Sequence, residues 1–250
     1  MSESPPIVDR RRRSISIPRR LMPSLLAVYT GREPAETALL ELRQGGVITA
    51  TKLDPLVRTL VGVITDPALV VTAEIDDLIR AAKPRLATIW SNQHAAVVGS
   101  VAREGWFELI QIEPPLLPFH LAQVVRLSPR SHPSFSGAFT VTVRTLTAVE
   151  SIVATDPIRA ERELSAAGVG PPWVDRFLAA LIMRRSMWAV ESVWLGDRRH
   201  RREARLSVLD GGFTGYWRLS QVNDEVQVTP CGFEDLLARV AALLPQPQSW

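Results

Sequence analysis

The chain has 250 residues, of which 46% are hydrophobic and 22% charged, with a mean hydropathy of +0.07. This composition excludes whole-chain disorder, and the longest apolar runs, near residues 56–64 and 177–183, are too short for a membrane-spanning helix, which needs about 20 residues. The net charge of +3 resides in residues 1–20, where six arginines face only Glu3 and Asp9; the other 23 basic and 24 acidic residues leave a neutral body.

In chain order, residues 1–20 are rich in Ser, Pro and Arg and read as a disordered, mobile tail, with one domain expected over 21–250. A helix is expected from Pro34 to Arg43, stopped at Gly45-Gly46, followed by a short strand at Val47–Ala50. Asp54 as N-cap and Pro55 at the first helical position open a helix that runs to Ile64 and stops at Asp66-Pro67. Strands follow at Ala68–Ile75, Leu86–Trp90, Ala95–Val101 and Trp106–Ile112, the last two joined by the tight turn Arg103-Glu104-Gly105. The Asp76-Asp77 pair is expected in a turn. Pro114–Leu127 reads as a loop and helix, and residues 129–139 have linker composition.

Beyond the linker the pattern recurs. Helices are expected at Leu146–Ala154, Pro157–Ala167 and Pro172–Arg184, the last with Trp173, Phe177 and Leu181 on one stripe. Strands at Trp188–Trp194, Arg205–Leu209, Tyr216–Val222 and Val226–Thr229 precede a last helix, opened by Thr229-Pro230 and ended at Leu244-Pro245. The offsets from Leu56 to Trp173, Leu86 to Leu206, Val97 to Trp217 and Pro114 to Pro230 are 117, 120, 120 and 116. The repeat predicts a pseudo-twofold α+β protein with units at about 21–128 and 140–245, whose two meanders form one mostly antiparallel sheet with helices at its ends.

No reaction motif survives inspection. Gly168-Val169-Gly170 lacks the third glycine of a dinucleotide loop and is followed by Pro171-Pro172, so it reads as a turn between helices. Ser100 lacks the glycine two residues on that a nucleophile elbow requires. His94, His120, His132 and His200 do not have metal-ligand spacing. Cys231, the lone cysteine, fits a reducing cytoplasm; a place in the first turn of the last helix would favour its thiolate, but no histidine is near in sequence. Catalytic residues, metal ligands and cofactors are all expected to be none. Five tryptophans, Trp90, Trp106, Trp188, Trp194 and Trp217, fall on strands, mostly as core, with some available for an apolar platform that binds another protein. The charged run Asp197–Glu203 reads as a protruding hairpin loop. It supplies the alternative function, a nucleic-acid-binding regulator that uses the Arg-rich tail and loop 197–203, although no aromatics are interleaved there for base stacking.

The segments His94–Pro114, Leu164–Val193, Leu206–Ser220 and the closing strand-Pro-helix VQVTPCGFEDLLARVAALLP resemble the EspG proteins, cytosolic chaperones of type VII (ESX) secretion in mycobacteria and relatives. The resemblance implies a central antiparallel sheet with two helical bundles. It also implies a cytoplasmic binder, not an enzyme, which keeps soluble the apolar tip of the PPE subunit in a PE–PPE heterodimer, through the sheet and the C-terminal bundle. On that reading Phe213, Tyr216, Trp217, Arg218, Phe233 and Leu237 form or support the partner-binding patch, and no small molecule, nucleic acid or membrane span is involved. The chain departs from the family pattern at its start, where the arginine-rich tail stands in place of a longer N-terminal strand region.

Overall fold

The computed structural model describes residues 4–49, 52–77, 84–130, 136–195 and 201–245. The first half contains β1 (Ile7–Asp9), β2 (Ser14–Pro18), α1 (Met22–Tyr29), α2 (Glu36–Gln44), a small hairpin of β3 (Ile48–Thr49) and β4 (Lys52–Leu53), and α3 (Pro55–Thr65). It continues with β5 (Leu69–Asp77), β6 (Arg85–Ser91), β7 (Ala96–Arg103), β8 (Trp106–Ile112) and α4 (Leu117–Val124). The second half contains β9 (Phe139–Thr142), α5 (Val143–Ile152), α6 (Pro157–Ala166), α7 (Pro171–Ile182), β10 (Ser186–Leu195), β11 (Arg201–Asp210), β12 (Tyr216–Val222), β13 (Glu225–Cys231) and α8 (Phe233–Ala242).

Apart from the β3–β4 hairpin, the strands form an 11-stranded antiparallel sheet in the order β1-β2-β8-β7-β6-β5-β10-β11-β12-β13-β9. The topology is duplicated. β2, three helices, a four-strand meander and α4 in the first half match β9, three helices, a four-strand meander and α8 in the second, and β1 is an extra edge without a counterpart. The halves join where β5 pairs with β10 from Leu69↔Trp194 to Asp77↔Ser186. On one face of this junction Val71, Ile75, Trp188 and Val190 are buried with Leu121 of α4 and Val240 of α8. The opposite face carries two bundles, α1–α3 over the first half and α5–α7 over the second, each with its own core.

Local sequence accounts for most elements. Asp54 caps α3, accepting the Leu56 amide proton at 2.9 Å. Gly105 adopts φ 75° in the β7–β8 turn, a conformation that costs glycine nothing. Gly99 leaves room for the Trp90 ring, which a Cβ there would strike.

Residues 7–18 overturn the expectation of a mobile tail. Ile15 and Ile17 are fully buried against α1–α3, and β2 pairs with β8 from Ser14↔Ile110 to Pro18↔Trp106. The arginines that suggested disorder cluster at the β1–β2 turn, where Asp9 Oδ1 accepts the amide protons of Arg11 and Arg12. Arg10 binds Asp54 at 2.7 Å, and Arg20 binds Glu41 through both guanidinium amines. Burial opposes ionisation of Asp54, but Arg10 and the Leu56 amide outweigh it and hold the carboxyl below its ordinary value. Residues 7–18 therefore form two strands of the sheet, written in arginine and alternating isoleucine. Three further differences are smaller. Helix α1 and strand β9 were not expected, Asp77 is the buried end of β5 and not part of a turn, and Pro230 lies in β13, so that α8 starts after Gly232.

The connection after α4 straps one end of the sheet. Arg126 pairs with Asp77, Arg130 binds Asp210 at 2.9 Å, and between them the Tyr216 hydroxyl donates to the Ser128 carbonyl (2.8 Å) and accepts its amide proton (3.1 Å). In the second bundle, edge-on rings fill the core: Phe177 lies 5.3 Å from Phe139 and 5.4 Å from Trp217, centroid to centroid.

Cys231 closes β13 beneath α8 and is buried, and that burial, with Asp235 nearby, pushes its thiol up to about 12. Two outcomes follow. Deleting residues 1–18 removes Ile15 and Ile17 from the core, at about 1.5–3 kcal/mol each, and thermal unfolding should show a lower Tm with exposed apolar surface at β8. Because Cys231 has an ordinary value of 9.0 once unfolded, its contribution to stability is complete below pH 9 and declines as pH rises toward 12. Cys231→Ala should flatten that alkaline loss in pH-dependent denaturation, and a thiol reagent at pH 8 should modify the native chain only when denaturant is added.

Candidate partner-binding site

The sheet is continuous except at one place in each half. In the second half, β11 pairs with β10 at ten positions and β12 with β13 at seven, but β11 and β12 pair at only four, Ser207↔Leu219 to Asp210↔Tyr216. Beyond Ser207 and Leu219 the strands diverge. Up to that point buried Leu209, Trp217 and Leu219 hold β11 and β12 to the α5–α7 core. Past it β11 offers Arg201, Arg202, Glu203 and Arg205 and β12 offers Gln221 and Val222, all exposed, so no buried cross-strand pair holds them together.

The divergence opens a groove of about 670 Å³. Its walls come from opposite faces of the sheet: Val143, Leu146 and Glu150 of α5 on one, Arg239, Ala242 and Leu243 of α8 on the other. Arg205, Leu206, Arg218 and Ser220 line it where the strands separate. The C-terminal end of α8 is fixed at the groove by the buried Ser192 hydroxyl, which donates to the Leu243 carbonyl at 2.6 Å. Glu150 is half-buried; burial and the nearby Asp76 raise its carboxyl above the ordinary range, which Arg184 only partly offsets, so the groove's own acid is weakened. Arg239 is held by Asp235 one turn earlier on α8, at 2.9 Å.

The residues singled out in the sequence divide by position. Arg218 lines the groove. Tyr216 and Trp217, its neighbours on β12, are 1% and 0% exposed and belong to the core, so they support the surface from beneath and do not form it. Phe233 and Leu237 are half-buried on α8, one to two turns before the residues that line the groove. Phe213 lies beyond the opposite end of β12, 71% exposed, beside exposed Ile182 and Met183 at the end of α7. Of the expected platform, Trp188 is also core, whereas Trp90, Trp106 and Trp194 are half-buried. The protruding loop 197–203 is corrected in part: Arg201–Glu203 belong to β11 and pair with Leu195, Trp194 and Val193, while residues 196–200 lie outside the described residues. The sequence missed Glu150, Arg205 and Arg239, because the separation of β11 and β12 that gathers them is a long-range property. The only local signal was the exposed charge along β11 where apolar alternation was due.

Among the described residues no group of three His, Cys, Asp or Glu is placed to hold a metal ion, and no helix is long and apolar enough to cross a membrane. His94 is exposed at the β6–β7 turn and His120 half-buried on α4, while His132 and His200 lie outside the described residues.

Comparison with solved structures aligns 93% of this chain with 97% of the Mycobacterium tuberculosis type VII secretion system chaperone EspG5, at a TM-score of 0.65 and 14% identity. That structure is of EspG5 in complex with the PE25–PPE41 dimer, and the likeness shows a shared fold. Comparison with curated sequences gives no significant match. The sequence profile of the EspG family matches residues 30–242, most of the chain, and the chain belongs to the EspG family.

Proposed function

We propose that this protein is a cytosolic chaperone of a type VII (ESX) secretion system, which binds a PE–PPE heterodimer by the apolar tip of its PPE subunit and makes or breaks no bonds. The observation that carries this reading is the open groove between α5 and α8, which offers Val143 and Ala242, over buried Leu146 and Leu243, alongside the guanidinium groups of Arg205 and Arg218. Such a surface suits a protein end that is apolar with a polar rim, and the chain shares its fold with a chaperone solved in complex with the PE25–PPE41 dimer. On this reading Arg218 contacts the client, Phe233 and Leu237 flank the contact on α8, and Phe213 is a second apolar anchor at the far end of β12. Tyr216 and Trp217 hold Arg218 in place from the core.

Co-expression with the PE–PPE-type pair encoded beside it, followed by size-exclusion chromatography, should give one stable mixed complex; a chain that elutes alone while the pair precipitates rejects the reading. Arg218→Glu should weaken capture by about tenfold or more with Tm unchanged, as expected where a charged contact is replaced by repulsion. Trp217→Ala should instead destabilise the chain by about 3–5 kcal/mol, because it empties a ring site in the core.

A further inference from the structure

The groove has a feature that a docking face for a helical tip does not need. It is open to both faces of the sheet, and two strand edges border it. β11 continues for six residues, 201–206, and β12 for three, 220–222, past their last shared pair. Sheet edges without a ladder partner are templates for an added strand. We infer that an extended, acidic segment of the client enters this split and adds as a strand along the edge of β11, an inference that rests on the client-binding reading above.

Two observations select a strand as the occupant and acid as its character. Side chains of a strand alternate between faces, and the walls do the same. One set of side chains would meet Val143 and Leu146 of α5, the other Ala242 and Leu243 of α8, whereas a helix tip resting on one face reaches only one wall. The charge around the split is basic. Arg205 of β11 and Arg218 of β12 line the split with one acid, Glu150, and farther along β11 Arg202 is exposed and Glu203 is taken up by Arg201 at 2.8 Å. A carboxylate carried in by the client meets guanidinium groups that can bind it through two amines.

Hydrogen exchange measured by mass spectrometry on the chain alone and on its complex with the co-expressed PE–PPE-type pair tests this. The expected result is slower exchange in the complex for those amides of 201–206 and 220–222 that do not already pair with β10 or β13. Arg205→Glu should weaken capture by about tenfold while Arg205→Lys largely retains it, since the site would read charge more than geometry. A complex in which these amides exchange as in the free chain overturns strand addition and leaves the chaperone reading standing. Failure of any complex to form removes both. Protection that grows with chain concentration in the absence of client also overturns the inference, because a second copy of the chain would then occupy the split.

Discussion

The architecture depends on the antiparallel junction of β5 with β10. Nine residue pairs, from Leu69↔Trp194 to Asp77↔Ser186, merge two four-strand meanders into a single sheet, and among the described residues no other ladder crosses between the halves. The junction is specified by one face. Leu69, Val71, Ala73 and Ile75 alternate with the less buried Val70, Thr72, Glu74 and Asp76 along β5, and they meet Trp188 and Val190 under α4 and α8. A slip by one residue would turn Ile75 and Trp188 outward and bring Glu74 and Glu191 into the core, so the register has no neighbouring alternative. The strap from Arg126 to Arg130 then closes one end of this seam on two buried aspartates, Asp77 and Asp210, which flank Ser186 across β10. These pairs derive their value from burial, since each guanidinium offsets a carboxylate that is almost wholly removed from water.

Duplication around this seam explains where surface is left open. In each half the ladder between the second and third strands of the meander parts at the same place. The β6–β7 pairing ends at Ala87↔Ser100, and the β11–β12 pairing ends at Ser207↔Leu219, 120 and 119 residues later. The two openings have diverged in character. The first exposes Leu86 and Val101, 54% and 58% accessible, whereas the second is bordered by arginines. The same backbone device thus supplies two different surfaces, and side chains alone determine what each accepts.

How far the sequence could be read depended on whether a feature was local. Asp54-Pro55 announced α3, the strands Trp106–Ile112 and Tyr216–Val222 were legible to the residue, and the offset near 117–120 exposed the repeat. Signals that compete locally misled. Four consecutive arginines imply disorder, yet the Ile15/Ile17 alternation beside them is a strand whose ladder partner, β8, lies about ninety residues away. The run Tyr216-Trp217-Arg218-Leu219 marked a strand without saying which face is covered, so the sequence left open whether these two rings form the patch or support it, and both lie in the core. The groove could not be read at all, because it arises from the termination of a ladder between β11 and β12, and no residue near that point encodes the end of a pairing by itself.

A chaperone for an apolar protein end must expose a binding surface and still resist sticking to itself. A large apolar patch would satisfy the first need and violate the second. Strand edges offer another solution, since main-chain groups bind an incoming chain in a directional way and contribute little to non-specific association when charged side chains guard them. Arg201, Arg202 and Arg205 stand along the β11 edge in that role: they repel the same edge of another copy and attract an acidic chain. The ten-position β10–β11 ladder keeps this edge rigid before any client arrives, so the ordering entropy of binding falls on the client segment alone. Selectivity and solubility would then come from the same arginines, and the apolar walls of α5 and α8 would be reached only by a chain that the edge has already admitted.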